Sequence, residues 1–195
     1  MNKFYTFFTA VSIFLITRET SAQVTLNNSP YSENFNNLST SGIPTGFSVR
    51  ILATPTFLGK DTILNTGVTP PWRGVGRGFK NLASANATSD PGPDSTTQAA
   101  ITDRALGVRQ TSTFGDSGAA FVFQIANTVA KKNFQLNFKL QSLDTSSPRT
   151  TNWIVDYGVG ANPTSFTSVA TSPDVLPTGN KLFSNTRILG LVIRT

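Results

Sequence analysis

The chain of 195 residues contains neither cysteine nor histidine. Without cysteine there can be no disulfide, so the fold has to be held together by a buried core. A structural zinc site is excluded, because thiolate and imidazole ligands are both missing. Nucleophilic catalysis by a serine–histidine pair is excluded for the same reason. These absences remove most common enzyme mechanisms, and we expect a protein that is not an enzyme.

Charge is also scarce, since Asp, Glu, Lys and Arg together make up 13% of the residues. The formal net charge is +6. The basic residues are scattered as single positions, with only Lys131 and Lys132 adjacent. A nucleic-acid footprint requires basic residues clustered on one face, so we expect no nucleic-acid partner. The 15 Phe supply core material, and the many hydroxyl and amide residues are typical of extracellular β-sandwiches.

The first 22 residues have the pattern of a secretory signal peptide. Lys3 precedes an apolar run from Phe4 to Ile16, and Thr20-Ser21-Ala22 forms a small-residue cleavage site. We therefore predict a secreted or cell-surface protein with a β-sandwich domain over 23–180 and a C-terminal strand remnant or tail over 181–195. Whether the leader is removed stays open, because Arg18 and Glu19 place charge just before the cut. No later stretch is apolar enough to predict a membrane span.

Alternating apolar residues predict strands in the rest of the chain. Phe47, Val49 and Ile51 share one face, with Ser48 and Arg50 on the other. Phe134 to Leu140 alternates more regularly, and Trp153 to Val159 repeats the pattern. Residues 119–126 are apolar on both faces, which fits a central strand or a buried helix segment. We predict strands near 46–52, 105–110, 119–126, 134–143 and 152–159, with very little helix. We predict an all-β fold class, a two-sheet antiparallel β-sandwich of jelly-roll type, because the short strands follow one another without intervening helices.

Five segments resemble the jelly-roll modules found at the start of large secreted bacterial proteins that use the type IX secretion route. The segments are 31–35, 78–81, 105–110, 115–121 and 143–151. The resemblance covers 31–172 and implies a two-sheet sandwich with an accessory, adhesive or glycan-binding role. It carries over no catalytic residue. No sorting tail follows, and 188–195 stops where a further strand would be expected. We therefore expect a sandwich that lacks part of its closing strand and self-associates through an exposed sheet edge.

Trp72 is the first candidate for ligand binding. It lies in a proline-stiffened segment, with Arg73 and Arg77 close by in the sequence. An aromatic ring flanked by arginines can stack on a sugar and hydrogen-bond its hydroxyls. The alternative is that Trp72 covers the core from a loop. Glycan is the ligand class that this segment favours.

The carboxylates support two further hypotheses. Glu33, Asp144 and Asp156 would have to meet in one cleft for the chain to be a carboxylate-dependent hydrolase, which is the alternative function. A third reading is a structural N-terminal piece of a longer surface protein. Calcium is the one cofactor considered, with Asp90, Asp94 and Asp116 as candidate ligands because calcium prefers oxygen donors in loops.

Gly115-Asp116-Ser117-Gly118 matches the tetrapeptide around a serine-protease nucleophile. Because the chain lacks histidine, we interpret this segment as a tight turn that leads into a strand.

Overall fold

A computed structural model describes residues 23–27, 30–68, 78–84, 95–109, 118–141, 150–170, 176–179 and 187–189. The predicted leader lies outside these ranges. The two helices are short, α1 Leu38–Ser41 and α2 Ser95–Ala100. The strands are β1 Phe47–Ile51, β2 Lys60–Asp61, β3 Leu64–Asn65, β4 Gly78–Ala83, β5 Arg104–Arg109, β6 Ala120–Phe123, β7 Leu136–Phe138, β8 Thr150–Trp153, β9 Asp156–Tyr157, β10 Thr167–Ser168, β11 Leu176–Gly179 and β12 Arg187–Leu189.

The strands in the described ranges form small sheets. Two sheets have three strands, in the orders β2-β1-β6 and β3-β4-β5, and three sheets are the pairs β10-β9, β11-β8 and β12-β7. The prediction of an all-β protein is confirmed. The pairing is antiparallel except between β3 and β4, where Leu64 lies beside Phe79 in a parallel register. That pair departs from the fully antiparallel arrangement that we expected. No helix in the described ranges has the length and apolar character needed to cross a membrane.

The predicted strands differ in how well they match. β1 and β5 lie where the alternation places them. β6 and β7 are shorter than expected, although the alternation from Phe134 to Lys139 is retained, with half-buried side chains between exposed ones. The segment predicted as one strand over 152–159 is divided, because β8 pairs with β11 and β9 pairs with β10. Val159, expected on the covered face, is 82% exposed.

The core lies where three of the sheets meet at Phe121 on β6. Its ring packs edge-on against Phe79 of β4, with centroids 5.4 Å apart, and stacks on Trp153 of β8 at 5.7 Å. Val49, which lies opposite Phe121 in the β1–β6 register, and Leu176 on β11 are both buried. Large aromatic side chains bury the most apolar area per residue, so these contacts account for much of the core.

The burial of Arg50 on β1 differs from the prediction made from the sequence. We expected Arg50 on the exposed face of the strand, but it is only 9% exposed. Its guanidinium donates a 3.3 Å hydrogen bond to the Gly59 carbonyl and forms an ion pair of 3.1 Å with Asp61 on β2. The polar face of β1 is therefore covered, and Arg50 lies there because Asp61 supplies a counter-charge.

Candidate functional site

An irregular loop before α1 presents two aromatic side chains, Tyr31 and Phe35. The loop is shaped by its own polar residues, because Glu33 Oε1 accepts the Phe35 N–H at 2.7 Å and Asn34 Oδ1 accepts the Asn36 N–H at 3.0 Å. Phe35 adopts φ +59°, in the left-handed region that side chains rarely enter. Such a conformation costs about 1–2 kcal/mol in a residue other than glycine. The backbone conformation that fixes the position of the Phe35 ring therefore lowers the stability of the folded state.

Two more rings reach the same place from the β1–β6 pair. Phe47 begins β1 and lies directly opposite Phe123 at the end of β6. Their ring centroids are 4.7 Å apart and their planes are inclined by 28°, a stacked arrangement. Cross-strand aromatic pairs of this kind stabilise an antiparallel register. The face of β1 and β6 that carries Val49 and Phe121 into the core thus ends in a second aromatic pair.

The four rings form a continuous surface that we call the aromatic platform, defined by Tyr31, Phe35, Phe47 and Phe123. Tyr31 stacks on Phe123 at 5.3 Å, and Phe35 meets Phe47 edge-on at 5.1 Å. Tyr31 is 40% exposed, and the other three side chains are half-buried. The platform is therefore joined to the core at one end and open to solvent at the other.

Glu33 places a carboxylate at the edge of the platform. Besides accepting the Phe35 N–H, it acts on the Tyr31 hydroxyl. The pKa of Tyr31 is raised above its ordinary 10.0, first because the hydroxyl is partly removed from water and second because the negative charge and hydrogen bonding of Glu33 disfavour the phenolate. The site therefore combines apolar ring faces with a negatively charged hydrogen-bond acceptor.

Two shallow cavities flank the platform. One of about 150 Å³ is lined by the Glu33 and Phe35 loop and by Asn37, Ser41 and Gly42 of the α1 region. The other, about 260 Å³, adjoins Phe47 and extends along β1 toward Thr62 and Thr66. Both are smaller than the roughly 300–1,000 Å³ of pockets that enclose a drug-sized ligand. The geometry therefore suits a ligand that lies on a surface and extends small groups into its edges.

The loop is anchored to the body of the protein through Asn36. Its Oδ1 accepts the backbone N–H of Arg104, the first residue of β5, at 2.9 Å. Arg104 is 3% exposed, and its guanidinium donates two 2.8 Å hydrogen bonds to Asn81, one to the side-chain oxygen and one to the backbone carbonyl. Burial lowers the pKa of Arg104 from its ordinary value. This buried hydrogen-bond network supports the loop through Asn36.

Lys80 on β4 is also a buried cation, 3% exposed. Its pKa is lowered from its ordinary 10.5, first by burial and second by the positive charge of Arg109 on the neighbouring strand. It lies opposite Gly107 on β5, one residue from Asn81 and therefore on the other face of the sheet. Because all of β4 is buried, we assign Lys80 and Arg104 to the interior.

The structure describes only two of the candidate site residues that were singled out from the sequence, Glu33 and Asp156. Trp72, Arg73, Arg77, Asp90, Asp94, Asp116, Ser117 and Asp144 lie outside the described residues. Glu33 lies at the aromatic platform. Asp156 lies on β9, where its Oδ1 accepts a 2.6 Å hydrogen bond from the Ser168 hydroxyl on β10. The described contacts thus place these two carboxylates on separate elements. No group of three or more potential metal ligands occurs in the part of the chain that the structure describes.

The aromatic platform was missed as a site at the sequence level. Tyr31 and Phe35 were singled out only within a segment of the family resemblance, and Phe47 only as a strand residue. Phe123 is 76 positions from Phe47 and meets it through strand pairing. The recurrence of aromatic residues in 31–35 and at 47 was the available signal.

Comparisons with protein-family models, with curated proteins and with solved structures gave no match for this chain.

Proposed function

We propose that this protein is a secreted, non-catalytic β-domain that binds glycans on the aromatic platform. It would act as an accessory or adhesion module of jelly-roll type. The observation that carries the proposal is the stack of Tyr31 on Phe123, which leaves a tyrosine 40% exposed above an ordered aromatic pair. Sugar rings bind such surfaces because their C–H faces pack on aromatic faces while their hydroxyls reach polar groups at the rim.

The rim of the platform supplies those polar groups. Glu33 offers a carboxylate, and the exposed side chains of Ser32 and Asn34 lie on either side of it in the sequence. The left-handed conformation of Phe35 supports a binding role, because strained backbone tends to occur where function requires a fixed geometry.

The resemblance noted in the sequence suggests the same role. Residues 31–35 are one of the segments that resemble accessory modules of secreted bacterial proteins, and the same segment forms the loop of the platform. Secretion follows in the proposal from the leader-like pattern of the first 22 residues. Self-association through a sheet edge remains a separate prediction.

The test is glycan binding by the purified chain and two matched variants. Tyr31→Ala removes the exposed ring of the platform. Phe57→Ala removes a ring of similar exposure, 46%, from the turn after β1. Losing one stacking contact of roughly 1.4 kcal/mol lowers affinity about tenfold. We expect this loss for Tyr31→Ala and unchanged affinity for Phe57→Ala. Equal affinities of both variants and the native chain would contradict the proposal, as would the absence of binding to any glycan on a broad array.

A further inference from the structure

Among the residues that the structure describes, Glu33 is the one charged side chain whose contacts place it at the aromatic platform. Its described partners are the Phe35 N–H and the Tyr31 hydroxyl, both of which are uncharged. None of the described contacts of Glu33 is with a cation. The residue is half-buried, so part of its side chain is open to a ligand. A cationic group on that ligand would form an ion pair with the carboxylate.

The nearest described cation along the hydrogen-bond network is directed elsewhere. Arg104 contacts the loop through its backbone N–H, while its guanidinium is directed toward Asn81 and the carbonyls of Ile101 and Val68. Among the described contacts at the platform, Glu33 is therefore the group that carries a charge.

Aromatic faces beside a carboxylate form a known type of environment for an ammonium group. A cation is attracted to the electron-rich face of a ring, and the carboxylate adds a charge-assisted hydrogen bond. The cavity of about 150 Å³ beside Glu33 and Phe35 has room for a small substituent but not for a sugar polymer. The glycan backbone would lie across the rings with its substituent in this cavity.

We infer that Glu33 makes the aromatic platform selective for glycans that carry a free amino group. This inference rests on the proposed glycan-binding function and names the ligand class for the same site. The ammonium group would bind between the Glu33 carboxylate and the faces of Tyr31 and Phe35. N-acetylated sugars lose the positive charge, and uronic acids would place a second carboxylate against Glu33.

The experiment compares three oligosaccharides of equal length, a glucosamine oligomer, its N-acetylated counterpart and a uronic acid oligomer. Affinities for the purified chain are measured by calorimetry at mildly acidic pH and low salt. An ion pair and a cation–π contact at a solvent-accessible site together favour the amino form about five- to tenfold. Added salt should reduce this preference, because the contact is partly exposed.

Two variants assign the preference to Glu33. Glu33→Gln keeps a side-chain oxygen for the Phe35 N–H while it removes the charge. Asp156→Asn is the matched control, because it removes one carboxylate charge and keeps an acceptor for Ser168. We expect Glu33→Gln to lose most of the preference for the amino oligomer and to keep only the smaller part due to the ring faces, while Asp156→Asn retains the native preference. An unchanged urea midpoint of Glu33→Gln would show that its fold is intact.

The outcomes separate the two proposals. If the native chain binds glycans but prefers the N-acetylated or acidic form, the inference about Glu33 is wrong and the glycan-binding function stands. A preference for the amino form that is undiminished in Glu33→Gln also overturns the inference, because a group other than Glu33 must then recognise the charge. If the chain binds none of the three oligomers and no glycan on an array, both proposals fail.

Discussion

Replacement of Arg104 by methionine tests the buried network that supports the platform loop. The guanidinium donates two 2.8 Å hydrogen bonds to Asn81, and further bonds of 3.2 Å and 3.4 Å to the carbonyls of Ile101 and Val68. Arg104→Met leaves the Asn81 side-chain oxygen without this donor, although Asn81 is fully buried. An unsatisfied buried polar group and the lost charge-assisted bonds together cost about 3 kcal/mol.

Arg50→Met is the matched control, because Arg50 is also buried. Its hydrogen bonds are longer, at 3.3 Å and 3.4 Å, and the side chain of its partner Asp61 is 65% exposed. Water can therefore solvate Asp61 after the substitution, and we expect a loss of about 1 kcal/mol. With a urea m-value of about 2 kcal/mol/M, the two losses lower the midpoint by about 1.5 M and 0.5 M. Equal shifts, or a larger shift for Arg50→Met, would refute the assignment of the Arg104 side chain to the centre of the buried network that supports the loop.

Three further predictions concern packing and charge, and all are read from urea denaturation. Gly107→Ala should lower the free energy of unfolding by about 1–3 kcal/mol, because the new Cβ overlaps the Leu82 side chain. In the control Gly67→Ala the new Cβ meets only Asn65 Oδ1, at 3.3 Å, so the free energy of unfolding should change by less than about 0.5 kcal/mol. Similar losses in the two variants would show that β4 and β5 are not packed as described. Leu176→Ala at a site 1% exposed should cost about 3 kcal/mol, while Ile63→Ala at 86% exposure should be nearly neutral, and the reverse order would contradict the core assignment. The folded state lowers the pKa of Lys80, so the unfolded chain binds the Lys80 proton more tightly than the folded chain does. The contribution of Lys80 to the free energy of unfolding therefore increases as the pH rises toward 10.5. Lys80→Met should lose that increase. The comparison is made below pH 10.0, since the raised pKa of Tyr31 acts in the opposite direction above that value; an unchanged pH slope would show that Lys80 is not perturbed in the fold.

Period-2 alternation predicted the all-β class and the position of β1 because that strand has one face in the core. It failed at 152–159, where the pattern continues through two strands that have different partners. Pairing depends on residues far away in the sequence, so alternation cannot show where one sheet ends and another begins. The burial of Arg50 was also missed, because its partner Asp61 lies on β2, a strand of only two residues.

The candidate site was even less accessible to sequence reasoning. Tyr31 and Phe35 lie in a loop without periodicity, and the left-handed conformation of Phe35 occurs in a residue type that rarely adopts it. Their meeting with Phe47 and Phe123 depends on the β1–β6 register. The sequence drew attention to Trp72 instead, because its proline and arginine neighbours predict an exposed loop.

The most direct test of the central claim follows the tyrosine rings during glycan titration. The chain has three tyrosines, Tyr5, Tyr31 and Tyr157, so ring-selective isotope labelling gives a simple NMR spectrum, and Tyr31→Phe assigns the signal of Tyr31. Glycan that stacks on the aromatic platform should shift the Tyr31 ring signal in proportion to saturation, while the Tyr157 signal on β9 stays in place. Binding that saturates without moving the Tyr31 signal, or that moves only the Tyr157 signal, would contradict the account.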